Sequence, residues 1–229
     1  MASLDDDQRR HGATEAGIVD LLGLLACGEL LAFEQRAADA GLAPRLADRV
    51  ALARHAAREL VNFDLLTNAL AERGVQVAEA MEPFLGPLSD FHRLTRPADW
   101  WEGLVKVYVG EGLVGDFYRE IGAHLDDATL ALIAEVSRTD DVEGYILARV
   151  SEAIAEEPQR AGRLALWGRR ILGEALSQAQ QVLAAREGLS GLVLEPDVPI
   201  AAALTRMSGV LYAIQGRHAH RMRALGLDP

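Results

Sequence analysis

Arg58-Glu59-Leu60-Val61-Asn62-Phe63 decides how this chain is read. Around it Leu52, Ala56, Glu59, Asn62, Phe63 and Leu66 recur at helical spacing, so an acid and an amide interrupt an otherwise apolar stripe. Burying an unpaired carboxylate is costly, because desolvation drives it to neutralise. A fold that places Glu59 inside must therefore supply a partner for it.

The bulk composition sets the frame for that helix. Half of the 229 residues are hydrophobic but only 5% are aromatic, which makes the apolar content mainly Ala, Leu and Val. That mix suits packed helices, and 8 Pro with 21 Gly are too few for the frequent turns of an all-β chain. The fold class is all-α. With 34 acids against 23 Lys and Arg, the net charge of −11 argues against nucleic acid as a partner. Arg169, Arg170, Arg217, Arg221 and Arg223 could form a small basic patch, or pair with the excess acids. The single cysteine, Cys27, excludes an internal disulfide and a cysteine-based metal site, and its leucine neighbours mark it as a small core residue. The first ten residues lack the apolar core of a signal peptide, and no apolar run of about 18 residues stands out as a membrane span. A cytoplasmic protein without membrane contact, monomeric or homodimeric, is expected.

Residues 1–13 read as a polar tail and 14–229 as one domain. The first helix spans about 14–40, with Ile18, Leu21, Leu22, Leu25, Glu29, Ala32 and Phe33 on one broad face and Glu34 and Arg36 more peripheral. Pro44 suits the first turn of the second helix, about 44–73, on which His55 lies one turn before Glu59. Pro83, Gly86, Pro87 and Pro97 break the pattern over 75–98, which reads as a crossover. The third helix, about 99–123, carries Glu111 within a stripe of Trp100, Leu104, Val107, Tyr108 and Tyr118, with Asp116 and Glu120 as alternative inward acids. A fourth helix, about 127–156 with a kink near Thr139, carries Asp140 and Glu143. Two more helices follow, about 158–187 and 199–225, joined by a Gly188–Pro199 loop.

Four helices each offer an acid on an apolar face: Glu29, Glu59, Glu111 and Glu143. A bundle core that gathers carboxylates in this way holds two metal ions in the di-iron proteins, where Glu-x-x-His on a helix supplies half of the site. Oxygen and imidazole ligands suit iron and oxygen activation. The competing reading places these acids at stripe edges, paired with Arg54, Arg58, Arg119 and Arg149. His55, Asn62 and Asp140 are weaker candidate ligands. His92, His218 and the other histidines are read as ordinary core or surface residues, and Tyr108 and Tyr118 flank Glu111.

Several longer stretches carry a resemblance. They are Gly28-Glu29-Leu30-Leu31-Ala32-Phe33-Glu34, Trp101 through Gly112, Asp116-Phe117-Tyr118-Arg119-Glu120, Leu166 through Gln180, and Arg221 through Leu227. Together, over about 17–227, the chain resembles an actinobacterial ferritin-like family similar to the di-iron hydroxylases of 2-methylthio-isopentenyl-adenosine in tRNA. The resemblance implies a ferritin-like four-helix bundle with additional C-terminal helices. It also implies a Glu on the first helix, Glu-x-x-His on the second, an acid on the third and acid-x-x-His on the fourth. Glu29, Glu59 and Glu111 match. Asn62 stands at the second-helix His, and Arg138-Thr139-Asp140-Asp141-Val142-Glu143 offers no His; a shift of one gives Asp140-x-x-Glu143. Two functions are therefore expected as alternatives. One is an oxygen-dependent, hydroxylase-like di-iron oxidoreductase with an altered carboxylate-rich shell, acting on a small-molecule or peptide-sized ligand. The other is a metal-free, non-catalytic binding or scaffold protein.

Overall fold

The structure is a computed structural model that describes residues 2–121, 125–138, 142–193 and 199–229, without the side chains of 2–14, 121, 193 and 200. The described residues form helices and no strand. In chain order they are α1 (Ala2–Ala40), α2 (Leu46–Glu72), α3 (Val77–Leu94), α4 (Trp100–Ile121), α5 (Asp127–Val136), α6 (Val142–Glu156), α7 (Arg160–Ala185), α8 (Glu187–Val193) and α9 (Ile200–Ala224). The first pair is a long hairpin of α1 against α2; α4 joins it, and α5 and α6 together occupy the fourth position. The extra helices α7 and α9 pack on α4. This is an all-α, ferritin-like bundle with C-terminal additions.

Two apolar clusters fill it. One gathers Leu21, Leu22 and Leu25 of α1, Leu66 and Leu70 of α2, Phe84, Tyr118 and Val136. The other gathers Leu52, Trp100, Leu104, Tyr108, Ile146, Ile171 and Met222. Along α1, α2 and α4 the change from one cluster to the other falls at Glu29–Arg36, Glu59–Asn62 and Glu111. The polar residues thus form a layer between two hydrocarbon halves.

Four segments depart from the sequence expectation. The first helix, expected from about residue 14 behind a polar tail, begins at Ala2. The crossover over 75–98 is largely helical, and α3 contains both Pro83 and Pro87. Val77, Met81, Phe84 and Leu88 share a helical face that packs on the first cluster, with Phe84 fully buried. Burial of that face outweighs the hydrogen bonds that the prolines remove. The fourth helix is broken rather than kinked: α5 ends at Val136 and α6 begins at Val142. Thr139 and Asp140 lie outside the described residues, as does His124. The segment after α7 was expected as a loop from Gly188, yet α8 forms there, with Leu189 and Leu192 in the first cluster.

The expectation about membrane spans also changes. By length and composition alone, Glu15–Ala40 is apolar enough to cross a membrane. Half of that window is buried against neighbouring helices, which is how a core helix satisfies the same composition.

Close approach of α1 and α3 depends on Gly23. A methyl group there would run into the backbone carbonyl of Ala80, which has no freedom to rotate away. Gly23→Ala is expected to cost about 1–3 kcal/mol by overpacking, read as a lower urea midpoint with little change in slope.

Candidate functional site: a buried carboxylate layer

The inward acid of α2 does have a partner, and it comes from α1. Arg36, expected at the periphery, is buried. Its Nη1 is in direct contact with Glu59 Oε1, and its Nη2 lies 3.1 Å from Glu111 Oε1. Arg36 is seven residues after Glu29, almost two full helical turns, so the two share a face. That spacing was the available signal; a guanidinium simply counts as a surface group in a hydropathy pattern.

His55 completes the arrangement. Its Nε2 is 2.5 Å from Glu111 Oε1 and 3.7 Å from Glu59 Oε1. Burial by itself would raise the Glu111 carboxyl, but Arg36 and the His55 hydrogen bond hold it below its ordinary value. The ring nitrogen therefore donates to an ionised carboxylate. Candidate ligand atoms of His55, Glu59 and Glu111 all lie within 4.8 Å of one another. Burial lowers Arg36 despite the nearby Glu111, Glu29 and Asp39.

Glu29 belongs to the same layer but answers to a different residue. Burial pushes its carboxyl up to about 7, against the pull of Arg36 and a hydrogen bond from Asn62. The Asn62 amide donates both to Glu29 Oε2 at 3.3 Å and to the Val136 carbonyl at 3.0 Å. Val136 closes α5, so its carbonyl belongs to the last turn, the part of a helix whose carbonyls take partners from outside it. A primary amide has two N–H bonds on one nitrogen and can serve an acid and a helix end together; a neutral imidazole has one donor. The identity of residue 62 and the break in the fourth helix are thus parts of one local solution.

The remaining candidates lie elsewhere. Glu143, in the exposed first turn of α6, hydrogen-bonds with Tyr108 and does not join His55, Glu59 and Glu111. Tyr118 is buried, its hydroxyl has no hydrogen-bond partner among the described residues, and burial and Glu29 keep it well above the ordinary tyrosine value. Asp116 is buried beneath Arg119, Arg217 and Arg221 at 3.0, 2.7 and 2.6 Å, and Glu120 accepts from Arg217. Two arginines of the suspected basic patch are therefore spent on internal acids. His218 is buried and, among the described residues, has no hydrogen-bond partner at either ring nitrogen; burial and Arg221 lower it to about 4. His92 faces the buried Lys106 amine at 3.3 Å; burial, with Lys106 and Arg36, lowers it to about 3.

Sequence comparison agrees with this architecture: the family model described as a ferritin-like domain of actinomycetes matches residues 13–196. The chain belongs to that ferritin-like family. The match runs from α1 through the end of the described part of α8, so it covers every helix that contributes to the carboxylate layer. No curated protein matches the chain.

Glu29 and Asn62 make two measurable demands. With a folded-state value near 7 against an ordinary 4.5, Glu29 holds its proton more tightly in the fold than in the unfolded chain. Its contribution to stability therefore falls as pH rises from about 4.5 to about 7. Glu29→Gln should flatten the stability-versus-pH curve in that interval, measured by urea denaturation at half-unit steps. Asn62→Leu leaves an acid and a helix-end carbonyl without their donor and is expected to cost about 1–3 kcal/mol, read as a lower denaturation midpoint at pH 7.

Proposed function

We propose that this protein is a metal-free, non-catalytic member of the ferritin-like family, a binding or scaffold bundle in which an internal guanidinium has taken over the charge role of a metal. The observation that carries the reading is Arg36 between Glu59 and Glu111. Carboxylates crowded in a low-dielectric layer require a cation, and either a metal ion or a buried arginine can supply one. Arg36 directs its donors at the same oxygens a cation would need. Asn62 presents its donor, not an acceptor, to Glu29. The break between α5 and α6 falls where the resemblance requires an acid-x-x-His turn. A di-iron centre does not fit this donor set, and no reaction step is routed through one. A cytoplasmic location and a small-molecule or peptide-sized ligand accompany this reading.

The second reading is an oxygen-dependent oxidoreductase resembling the di-iron tRNA hydroxylases, with Glu29, Glu59, Glu111 and Glu143 as ligands. It is favoured by the proximity of His55, Glu59 and Glu111. It requires Arg36 to withdraw from both carboxylates and Glu143 to leave Tyr108. tRNA as its substrate conflicts with the net charge of −11.

Elemental analysis of protein purified from iron-supplemented cells separates the two. Well under one equivalent of iron or manganese per chain is expected; close to two would overturn the metal-free reading. Arg36→Ala strips the counter-charge from Glu59 and Glu111 and should destabilise the fold by about 3–5 kcal/mol at pH 7. Added manganese or zinc should recover part of that loss, because His55, Glu59 and Glu111 then become free to bind a single divalent ion. The paired readout is the thermal midpoint with and without metal.

A further inference from the structure

The core-facing side of α2 is accounted for by Leu52, Ala56, Glu59, Asn62 and Leu66. The opposite side is exposed but is not polar. Leu46, Val50, Ala53, Ala57, Leu60 and Asp64 follow one another at alternating four- and three-residue steps, the spacing of a seam between two helices. Leu46 is 76% exposed, Val50 44% and Leu60 39%, and the neighbouring Val61 is 55% exposed. An apolar stripe of about 21 Å along one helix, from Leu46 to Leu60, is longer than the single exposed hydrophobic residues that soluble surfaces commonly carry.

We propose that this stripe is a self-association surface, on which α2 of a second copy of the chain packs antiparallel about a two-fold axis close to residue 55. The order of side chains specifies the partner. Reversing the stripe about that axis sets Ala53 opposite Ala57, Val50 opposite Leu60 and Leu46 opposite Asp64. Small residues thus meet at the centre, where two helices approach most closely, and larger ones meet on either side. A two-fold interface must present one patch that complements itself, and this order does so. A parallel pairing would set Asp64 against Asp64. Charge agrees at the ends: exposed Arg49 lies within a turn of Asp64 of the second copy, and each axis-related end gains one such pair. The exposed Arg54 side chains beside the axis stay at the rim, where water and salt screen them. A single helix pair of this length falls at the small end of specific interfaces, so a dissociation constant on the order of micromolar is expected.

This inference does not rest on the metal-free reading; the stripe faces away from the carboxylate layer. Sedimentation equilibrium of the full chain from about 1 µM upward tests it, and a reversible monomer–dimer equilibrium is expected. Leu60→Glu should weaken the dimer by at least about tenfold without altering the helical circular dichroism. Leu166→Glu, on the exposed face of α7, should leave it unchanged. A Val50→Cys/Leu60→Cys variant should form disulfide-linked dimers. The two positions lie about 15 Å apart on one helix, too far to bridge internally, and the native Cys27 is buried. Three results would overturn the proposal: a single-copy chain at every concentration, which would assign the stripe to a different protein; a dimer indifferent to Leu60→Glu; or efficient cross-linking of Val50→Cys alone, which requires a parallel pairing.

Discussion

A guanidinium buried among carboxylates is the constraint on which the middle of this bundle depends. Glu59 and Glu111 come from helices that pack through apolar faces on either side of them, which leaves Glu59 buried and Glu111 half-buried. Arg36 meets both, and His55 donates to Glu111 as well. The arrangement is over-determined: two cationic or donor groups share two acids, and the four come from α1, α2 and α4. Glu29, the acid farthest from full compensation, is the one whose proton affinity burial raises.

The second constraint is the interrupted fourth helix. Ending α5 at Val136 leaves a carbonyl inside the protein beside Glu29. Asn62 supplies a hydrogen bond to each. An imidazole at this place would leave one of them bare, and an apolar residue would leave both. The amide is therefore explained by what surrounds it, and it links α1, α2 and α5 through one side chain.

Much of the fold was legible in the sequence because it rests on hydrophobic periodicity, which needs no knowledge of neighbours. The helices around Leu52–Leu66, Trp100–Tyr118 and Leu164–Ile171 follow directly from it. It failed at Pro83 and Pro87, where local rules favour a break but an apolar face at Met81, Phe84 and Leu88 repays continued helix by burial against α1. It failed again at α8, whose two leucines matter only because a core lies beneath them. Within the layer, Glu29, Glu59 and Glu111 were legible as acids on apolar faces. Arg36 was not, since a long cation reaches inward or outward with equal local ease and the choice depends on acids presented by other helices. Glu143 differs in the other direction: spacing put it on the stripe, whereas in the fold it lies in the exposed first turn of α6 and hydrogen-bonds with Tyr108.

By itself the sequence determined that the chain would be helical, that it would bring acids into a hydrocarbon interior, and that residue 62 would be an amide where the resemblance implies imidazole. These follow from composition, from the 3.6-residue repeat and from the identity of single residues. Only the tertiary structure decided what answers those acids. Charge compensation is a relation between side chains on separate helices at distances near 3 Å, and no repeat along one chain encodes it. Arg36, His55 and the Val136 carbonyl acquire their meaning when α1, α2, α4 and α5 are brought together.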